Sequence, residues 1–449
     1  MTGDPVSVAG ATQRPLLRAV GLTFGIAAAI GGTIGTGILR APGLVASYVP
    51  NTAGFLAVWI AVAVFVAICA NSVAELACAV PRAGGPYVYA RRALGRYAGF
   101  AVGWVDWALQ IAGIGFLSVS IGDFCELLVP ATRGYSHAIA CGSIIATATL
   151  NWIGIRAGSR AQDVMSLAKV VCFAALVAAF FLAPAPATTA PAPHLGAALA
   201  FTPVVLALQM VYETNAGWYS GIYFSEEDRA PERNVPRALA ASVALVAAVY
   251  LLVNLGLLRV LGIERLAGAP LAVADAAQSV FGGYSNRVVT AIAIVSLVGI
   301  LNVHVMVAPR ILYALARDGL LTPAASQVGV GGTPQVALVI SAVIALPFAA
   351  GIGFTALFAL TAFLSALVDA SLLVSLIALR RLEPELARPF RAWGYPWLPG
   401  FAILGSLALL IAFMVSNPLN SAFALAVLAL SYPVYRWLGT RDSVSGRRG

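Results

Sequence analysis

Apolar residues occur along this chain in long uninterrupted runs rather than at alternating positions. About twelve of these runs approach or reach the roughly 20 residues that a helix needs to cross about 30 Å of hydrocarbon. Short polar segments separate them, so the pattern predicts an all-α integral membrane protein. The predicted spans are Val20 to Ala46, Thr52 to Val80, Gly99 to Leu128, Ser136 to Trp152, Gln162 to Leu182, Thr202 to Phe224, Ala238 to Leu261, Val288 to Ala308, Gln335 to Phe354, Ala356 to Leu379, Leu398 to Val415 and Asn420 to Leu438.

Composition strengthens this prediction. Of the 449 residues, 60% are hydrophobic and only 10% are charged, which lies far outside the usage of soluble domains. The net charge of +9 comes from arginines spread over short loops, whereas a nucleic-acid-binding protein gathers them on one soluble domain. Most basic residues fall in segments on the same side as the N-terminus, so both termini are predicted to be cytoplasmic. We expect a bacterial inner membrane as the location.

Two predicted spans are interrupted near their middle. The first contains the run GGTIGTG at residues 31–37, and the sixth contains ETNAG at residues 213–217. Unwinding a helix inside a bilayer frees backbone groups that lipid cannot satisfy, so such breaks persist only where they line a cavity or a ligand. Paired breaks in the two halves of a chain are typical of the binding site of a transporter.

The order of the spans predicts an inverted repeat. Five spans with the first one broken are followed by five more with the first of those broken, and then by two further spans. An odd number of spans places the second repeat upside down, so the two broken spans run antiparallel across one site. The expected units are a cytoplasmic tail at 1–19, the two repeats at 20–184 and 202–380, two peripheral helices at 397–438, and a cytoplasmic tail at 439–449.

Four stretches carry a further signal in a fixed order: GGTIGTGILRAPG at 31–43, ELACAVPRAGGPYVYARRALG at 75–95, GWYSGIYFSEEDRAPERNVPRAL at 217–239 and PRILYALARDGLL at 309–321. Together they resemble the amino acid-polyamine-organocation superfamily of permeases. The resemblance implies a leucine-transporter-like fold with a five-plus-five inverted repeat. It also implies secondary transport of an amino acid or related amine by alternating access, with the substrate held between the first and sixth helices. It does not choose the substrate, nor uptake over exchange.

The first break is suited to a carboxylate. Glycines allow the backbone to approach a ligand closely. The N-terminal end of the outer half-helix presents free N–H groups and the positive end of the helix dipole. We assign carboxylate binding to Thr36, Gly37 and Ile38, with Thr33 and Gly35 shaping the turn. The alternative is that the glycines form a helix-packing face.

The second break is suited to an ammonium group, because its freed carbonyl oxygens would accept hydrogen bonds from that group. The resemblance implies a bulky gating side chain at the start of this segment, and Glu213 departs from the usual aromatic residue there. A carboxylate inside a membrane is a functional candidate by default. Three roles stay open for it: a receptor for a polyamine or cationic amino acid, a partner of Arg40, and a proton carrier. The candidate residues of this break are Glu213, Thr214, Asn215, Gly217 and Trp218.

Lys169 is the only lysine in the chain and falls within the fifth span. The resemblance implies that it stands where sodium-dependent relatives bind sodium. Its ammonium group is expected to replace that ion by donating hydrogen bonds to carbonyls near Ile30 or Gly31 and to Ser296. Transport is therefore predicted to need no sodium. Whether Lys169 carries a coupling proton, only tethers the break, or extends towards the cytoplasmic face stays open.

Other chemistry is not indicated. His304 has no second histidine or cysteine at ligand spacing, and nucleotide-binding and catalytic motifs are missing from the sequence. We expect no metal, no cofactor, no enzymatic activity and no nucleic-acid partner, and we expect the substrate and the lipid bilayer as partners. The outer loop Val129 to Tyr135 lacks a cysteine, so a disulfide-linked accessory chain is not expected. A membrane sensor that does not transport is the third, more distant, hypothesis.

Polar residues outside the two breaks predict interactions between helices. Those inside spans, namely Asp106, Asn151, Asn302, His304 and Asp369, are expected to form interhelical hydrogen bonds. Charged residues at cytoplasmic helix ends are expected to form a structural or gating ion network, comprising Glu75, Arg82, Glu226, Glu227, Asp228, Arg233 and Arg237.

Overall fold

The computed structural model describes residues 14–183, 201–269, 271–351, 354–416 and 418–445. In this part of the chain the regular structure is helical, apart from one isolated bridge between Val20 and Asp228. The helices are α1 Leu22–Thr33, α2 Gly37–Tyr48, α3 Thr52–Ala79, α4 Pro86–Leu94, α5 Arg96–Leu128, α6 Ser136–Ile153, α7 Ile155–Leu182, α8 Phe201–Thr214, α9 Pro231–Ala267, α10 Ala272–Phe281, α11 Ser285–Arg317, α12 Gln335–Gly351, α13 Phe354–Leu382, α14 Trp397–Ser416 and α15 Pro418–Ser445.

The helices agree with a membrane protein of many spans. Among the described residues, eight helical segments are long and apolar enough to cross a membrane, and the bent pair α1 and α2 makes nine. The remaining predicted spans overlap α6, α8 and α12, which are shorter or less apolar. Every predicted span therefore coincides with a helix or with a broken pair of helical segments.

The last two spans lie at the periphery. Only 22% of the α14 span and 17% of the α15 span are buried, against 72% of the span in α13. Apolar side chains such as Phe401 and Leu404 are exposed there, as expected for a surface that faces lipid. The apolar span within α15 ends at Leu438, and the helix continues to Ser445 into the segment predicted as the C-terminal tail. Residues 1–13 and 446–449 of the predicted tails lie outside the described part.

A central group of helices positions the two breaks. α1 packs against α7, α9 and α11, while α2 packs against α8 and α9. α5 packs along α11 and α13. Both breaks are thus surrounded by continuous helices, which supply the side chains described next.

Candidate functional site

The first broken span bends where the glycine run predicts it. α1 ends at Thr33, α2 begins at Gly37, and the two helices meet at an angle of 50°. Ile34 between them is extended, with φ −74° and ψ 108°. The carbonyls at the end of α1 and the N–H groups at the start of α2 consequently lack helical partners.

The second broken span meets the first through its backbone. α8 ends at Thr214, and after a turn the chain continues as a short 3₁₀ helix, Ser220–Phe224. Gly217 in this turn has φ +89°, and a Cβ atom there would lie 2.6 Å from the carbonyl oxygen of Gly32. Only glycine combines that backbone conformation with so close an approach. The two breaks are therefore in direct contact.

Tyr250 of α9 also joins the breaks. Its hydroxyl lies 3.1 Å from the carbonyl oxygen of Thr33 and 2.9 Å from that of Thr214. These are the last carbonyls of α1 and α8. The hydroxyl of one side chain therefore lies within hydrogen-bond distance of the unwound ends of both helices. Inside a bilayer, unpaired backbone groups at these ends would be costly.

Lys169 holds the first break from the opposite side. Its ammonium group is fully buried and donates to the carbonyl oxygens of Gly31 at 2.7 Å and Ile34 at 2.9 Å. A cation at the C-terminal end of α1 also matches the negative end of the helix dipole. The predicted bond to Ser296 is not present: the Ser296 hydroxyl is buried and has no hydrogen-bond partner among the described residues. The extension of Lys169 towards the cytoplasmic face is excluded by this geometry.

The glycine run also has a packing role. A Cβ atom on Gly31 would lie 1.7 Å from Nε2 of Gln162, and the neighbouring Ser166 hydroxyl donates to the carbonyl of Ala27 at 2.7 Å. Small size at Gly31 is thus required for contact with α7. The packing alternative holds for this glycine, while Gly35 and Gly37 face the cavity.

A cavity of about 270 Å³ lies between the two breaks. Most of the predicted site residues line it: Thr33, Gly35, Thr36, Gly37, Glu213, Thr214 and Gly217. Three others do not. Ile38 is fully buried, and Asn215 and Trp218 border a separate small gap near Ser242. The Asn215 amide donates to the Val211 carbonyl at 2.8 Å, so its side chain is engaged with the last turn of α8.

Part of the second break is already hydrogen-bonded within the protein. The Glu213 carbonyl accepts from the Ala216 N–H at 3.1 Å, and the Gly217 carbonyl accepts from both the N–H and the hydroxyl of Ser220. The Thr214 carbonyl is shared with Tyr250. Because a carbonyl oxygen has two lone pairs, a ligand ammonium would use the second one at each of these positions.

Glu213 and Arg40 both line the cavity, yet the structure does not pair them. Oε1 of Glu213 is buried without a hydrogen-bond partner, and no ion pair between the two residues is present in the described part of the chain. Arg40 is exposed. Pairing with Arg40, one of the three roles considered for Glu213, is therefore not found in this conformation.

Several cavity residues were not predicted from the sequence. The aromatic side chains Tyr219 and Tyr223 follow the second break, and Tyr219 is six residues after Glu213, the position where a gating aromatic was expected. His304 of α11 faces the cavity, with a buried Nδ1 atom that has no hydrogen-bond partner among the described residues. Further lining residues come from α5 and α13, including Gln110, Thr361 and Ser365. The position of the two tyrosines directly after the break was a feature of the sequence that could have identified them as cavity residues.

The predicted interhelical hydrogen bonds form at four of the five positions. The Asn151 amide donates to Asn302 Oδ1 at 2.9 Å. The hydroxyl of Tyr223 donates to Asp106 at 2.9 Å, and that of Tyr212 donates to Asp369. His304 is the exception.

At the helix ends that were predicted to be cytoplasmic an ion network forms, but with different basic residues from those expected. Glu227 is fully buried and pairs with Arg310 at 2.6 Å, and Glu226 pairs with Arg317 at 2.7 Å. Glu75 pairs with Arg380 at 2.5 Å and Arg388 at 3.1 Å. The expected partners Arg82, Arg233 and Arg237 form none of the described ion pairs. The arginines that pair with Glu75, Glu226 and Glu227 belong to α11, to α13 and to the segment after α13. The spacing of the loops along the chain could not reveal these partners.

The same side is tied to α1 through the backbone. The N–H of Val20 donates to the Glu227 carbonyl at 3.1 Å, and the N–H of Arg229 donates to the Val20 carbonyl at 3.2 Å. The guanidinium of Arg310 also lies 4.5 Å from the ring centre of Phe224. These contacts join the start of the first broken span and the end of the second to α11.

Comparison with known proteins identifies the family. Residues 16–434 match the family described as amino acid permease. The chain belongs to this family. Among the relatives of this permease is the serine/threonine exchanger SteT of Bacillus subtilis, 25% identical over 434 residues that cover 95% of this chain and 98% of SteT. The permease is also 25% identical to the human b(0,+)-type amino acid transporter 1, over 90% of this chain and 84% of that protein.

A third relative is more similar over a shorter length. An uncharacterized transporter of Mycobacterium tuberculosis is 30% identical over 306 residues, which are 68% of this chain and 67% of that protein. These relatives place the permease in the amino acid-polyamine-organocation superfamily. It is an integral membrane protein of a transporter family.

Proposed function

We propose that this permease is a secondary carrier that moves an amino acid across the membrane by alternating access and without sodium. The observation that carries the proposal is the cavity between the two breaks. It is lined by Thr36 and Gly37 at the start of α2 and by Glu213 and Gly217 of the second break. Its volume of about 270 Å³ is close to the lower limit of about 300 Å³ for small-molecule sites.

The two breaks offer complementary groups for a zwitterion. Free N–H groups of Thr36, Gly37 and Ile38 at the start of α2 would bind the carboxylate, assisted by the helix dipole. Carbonyl oxygens of Glu213, Thr214 and Gly217 would accept the ammonium group. In this proposal Ile38 acts through its backbone, which agrees with the burial of its side chain.

Lys169 takes the place of a sodium ion in this proposal. Its bonds to Gly31 and Ile34 supply a fixed positive charge at the unwound end of α1. We propose that it acts as a tether, and that Ser296 is a neighbouring position without a direct bond. The names of two relatives, a serine/threonine exchanger and a b(0,+)-type amino acid transporter, support amino acids as the substrate class and exchange as a mode of transport.

Glu213 favours a second candidate, a polyamine or cationic amino acid exchanger. Oε1 of this side chain is buried beside the cavity without a hydrogen-bond partner in the described part of the chain, so it is placed to receive a second cationic group of a substrate. Replacement by Gln should then abolish transport of arginine and putrescine while transport of serine persists. Unaltered arginine and putrescine transport in Glu213→Gln would remove this candidate.

The first test is a thermal-shift screen of the purified protein against amino acids, putrescine, agmatine and spermidine, with and without sodium. A ligand at about 100 times its Kd adds about 2.7 kcal/mol to the folded state. Stabilisation by neutral amino acids without sodium supports the main proposal, and stabilisation only by diamines or basic amino acids supports the second. A requirement for sodium would contradict both.

Counterflow of the stabilising ligand in liposomes completes the test. Labelled ligand should accumulate transiently against an excess of unlabelled ligand on the inside, which only a carrier produces. Binding without counterflow would instead identify a sensor. We also propose a bacterial inner-membrane location with both termini cytoplasmic, action without enzymatic turnover, and no disulfide-linked accessory chain. Protease or label accessibility of terminal tags in intact cells would test the orientation.

A further inference from the structure

Two buried aspartates beside the cavity are joined by tyrosines of the second broken span. The hydroxyl of Tyr223 lies 2.9 Å from both carboxyl oxygens of Asp106 in α5. The hydroxyl of Tyr212 donates to Oδ2 of Asp369 in α13. Tyr219 stacks on Tyr223 with ring centres 6.2 Å apart, and its hydroxyl also approaches Asp369. We call these five residues the aspartate–tyrosine network.

The network contains two acids and no described cationic partner. Asp106 has no exposed surface and Asp369 has 5%. In the described part of the chain, their hydrogen bonds come only from phenol and amide groups, and neither forms an ion pair with Lys or Arg. The polar or titratable groups near them are Gln110 on α5 for Asp106, and Cys69 on α3 and Glu213 on α8 for Asp369. His304 on α11 and the exposed Arg40 on α2 line other parts of the cavity wall, and Arg40 forms none of the described ion pairs.

Two negative charges in such surroundings are strongly unfavourable. Burial in an apolar medium penalises the charged form of a carboxyl group, and a second nearby carboxylate adds repulsion. Two carboxyl groups in one site commonly hold a proton for this reason. The free position is present here, because Oδ1 of Asp369 is buried and has no partner among the described residues.

We propose that the aspartate–tyrosine network binds one proton, which is taken up and released once in each transport cycle. This inference rests on the proposed carrier function. A hydronium ion in the cavity gives its proton to the hydroxyl oxygen of Tyr219, while the hydroxyl's own proton passes to the carboxylate of Asp369; the reverse steps return the proton to water when the cavity opens to the other side. Only O–H bonds form and break, and no electrons are exchanged. Tyr219 and Tyr223 line the cavity, so water within it reaches the network.

Binding of the proton also changes the hydrogen bonds that hold the second broken span in place. A carboxylate accepts stronger hydrogen bonds than a neutral acid does. Gain or loss of the proton therefore changes how tightly α13 holds Tyr212 in α8, and how tightly α5 holds Tyr223 beyond the break. Both tyrosines belong to the second broken span, so its position depends on the charge of the two acids.

Infrared difference spectroscopy of the purified wild-type protein tests proton binding without any substrate. A pH titration should show a carbonyl stretch of a protonated carboxylic acid that disappears as the pH rises. The band should be lost or shifted in Asp369→Asn or Asp106→Asn, and should be retained in Asp123→Asn, a matched change at the exposed outer end of α5. A wild-type spectrum without this band, or the same band in all variants, overturns the proposal.

Transport in liposomes tests coupling. We would use labelled L-serine as the probe, or the amino acid that gives the largest thermal shift. One proton per amino acid allows up to about tenfold accumulation for each tenfold proton gradient. The ratio of gradient-driven accumulation to counterflow should fall in Asp369→Asn and in Tyr212→Phe, but not in Asp123→Asn. An unchanged ratio in both network variants overturns the proposal, since a purely structural defect lowers both activities together.

The two experiments separate this inference from the carrier function. If the wild-type protein transports none of the compounds tested, the carrier function fails while the infrared titration still reports the proton. If counterflow is present but no proton gradient drives accumulation in the wild type, the carrier function stands and the coupling is refuted. If Asp369→Asn does not fold, Tyr212→Phe decides, because it keeps the aromatic ring and both acids.

Discussion

The ammonium group of Lys169 donates a hydrogen bond to the carbonyl oxygen of Gly31 at 2.7 Å, at the point where the first span unwinds. A second bond goes to Ile34 at 2.9 Å. Removing this group leaves two buried carbonyls without their donor, at a cost of about 1 to 3 kcal/mol each. The contact thus links the only lysine of the chain to the geometry of the binding cavity.

Lys169→Met is expected to lower the thermal midpoint and to abolish counterflow, since the end of α1 loses its fixed charge. Sodium should have no effect on the wild type, measured as initial uptake with sodium chloride or with choline chloride. Stimulation of the wild type by sodium would contradict the tether. Arg160→Met serves as a control, because Arg160 is an exposed basic residue of the same helix.

Tyr250→Phe should destabilise the protein by about 1 to 3 kcal/mol, because the carbonyls of Thr33 and Thr214 share its hydroxyl. Chemical unfolding of the purified variant measures this. Tyr284→Phe is the matched control, as Tyr284 is 69% exposed. Equal stability of the two variants would show that the hydroxyl of Tyr250 does not support the breaks.

Gly217→Ala should be strongly destabilising and inactive. The positive φ alone costs an alanine about 1 to 2 kcal/mol, and its Cβ would meet the Gly32 carbonyl at 2.6 Å. Gly142→Ala, in α6 with nothing within 4 Å of the added atom, should be neutral or slightly stabilising. Thermal unfolding and counterflow of both variants check the prediction, and full activity of Gly217→Ala would refute the described backbone contact.

Glu227→Gln should loosen the contacts between the start of the first broken span and α11. It leaves Arg310 buried without its counter-charge, and breaking a buried pair costs about 3 to 5 kcal/mol. Hydrogen exchange should rise at residues 20–24, because Val20 bonds to the Glu227 carbonyl. The exposed pair of Arg92 and Glu383 gives the comparison: Glu383→Gln should change little. Unchanged exchange at 20–24 in Glu227→Gln would argue against a gating role.

Sequence patterns revealed the breaks and the spans because these depend on local composition. Glycine runs and a polar segment inside apolar stretches are visible without any tertiary information. The Lys169 contact was predicted through the family resemblance, which fixes the neighbours of the fifth span. The prediction of Ser296 as a further partner was wrong, because Lys169 directs its two hydrogen bonds to carbonyls of the first break.

Tertiary partners explain what the sequence did not show. Tyr250 reads as one aromatic residue in an apolar helix, and only its position between two helix ends gives its hydroxyl a role. Arg310 and Arg317 lie far along the chain from Glu226 and Glu227, so loop spacing favoured nearer arginines. The aspartate–tyrosine network likewise brings together residues from α5, α8 and α13. Polar residues inside spans predict hydrogen bonds, but they do not identify the partners.

The contact between Gly32 and Gly217 has a consequence for leakage. Because neither glycine carries a side chain, the two backbones meet directly at this point, and a Cβ atom on Gly217 would lie 2.6 Å from the Gly32 carbonyl oxygen. No room is left between the two backbones for water to pass at this contact. Closure of the space between the two broken spans is therefore, at this point, a matter of backbone geometry.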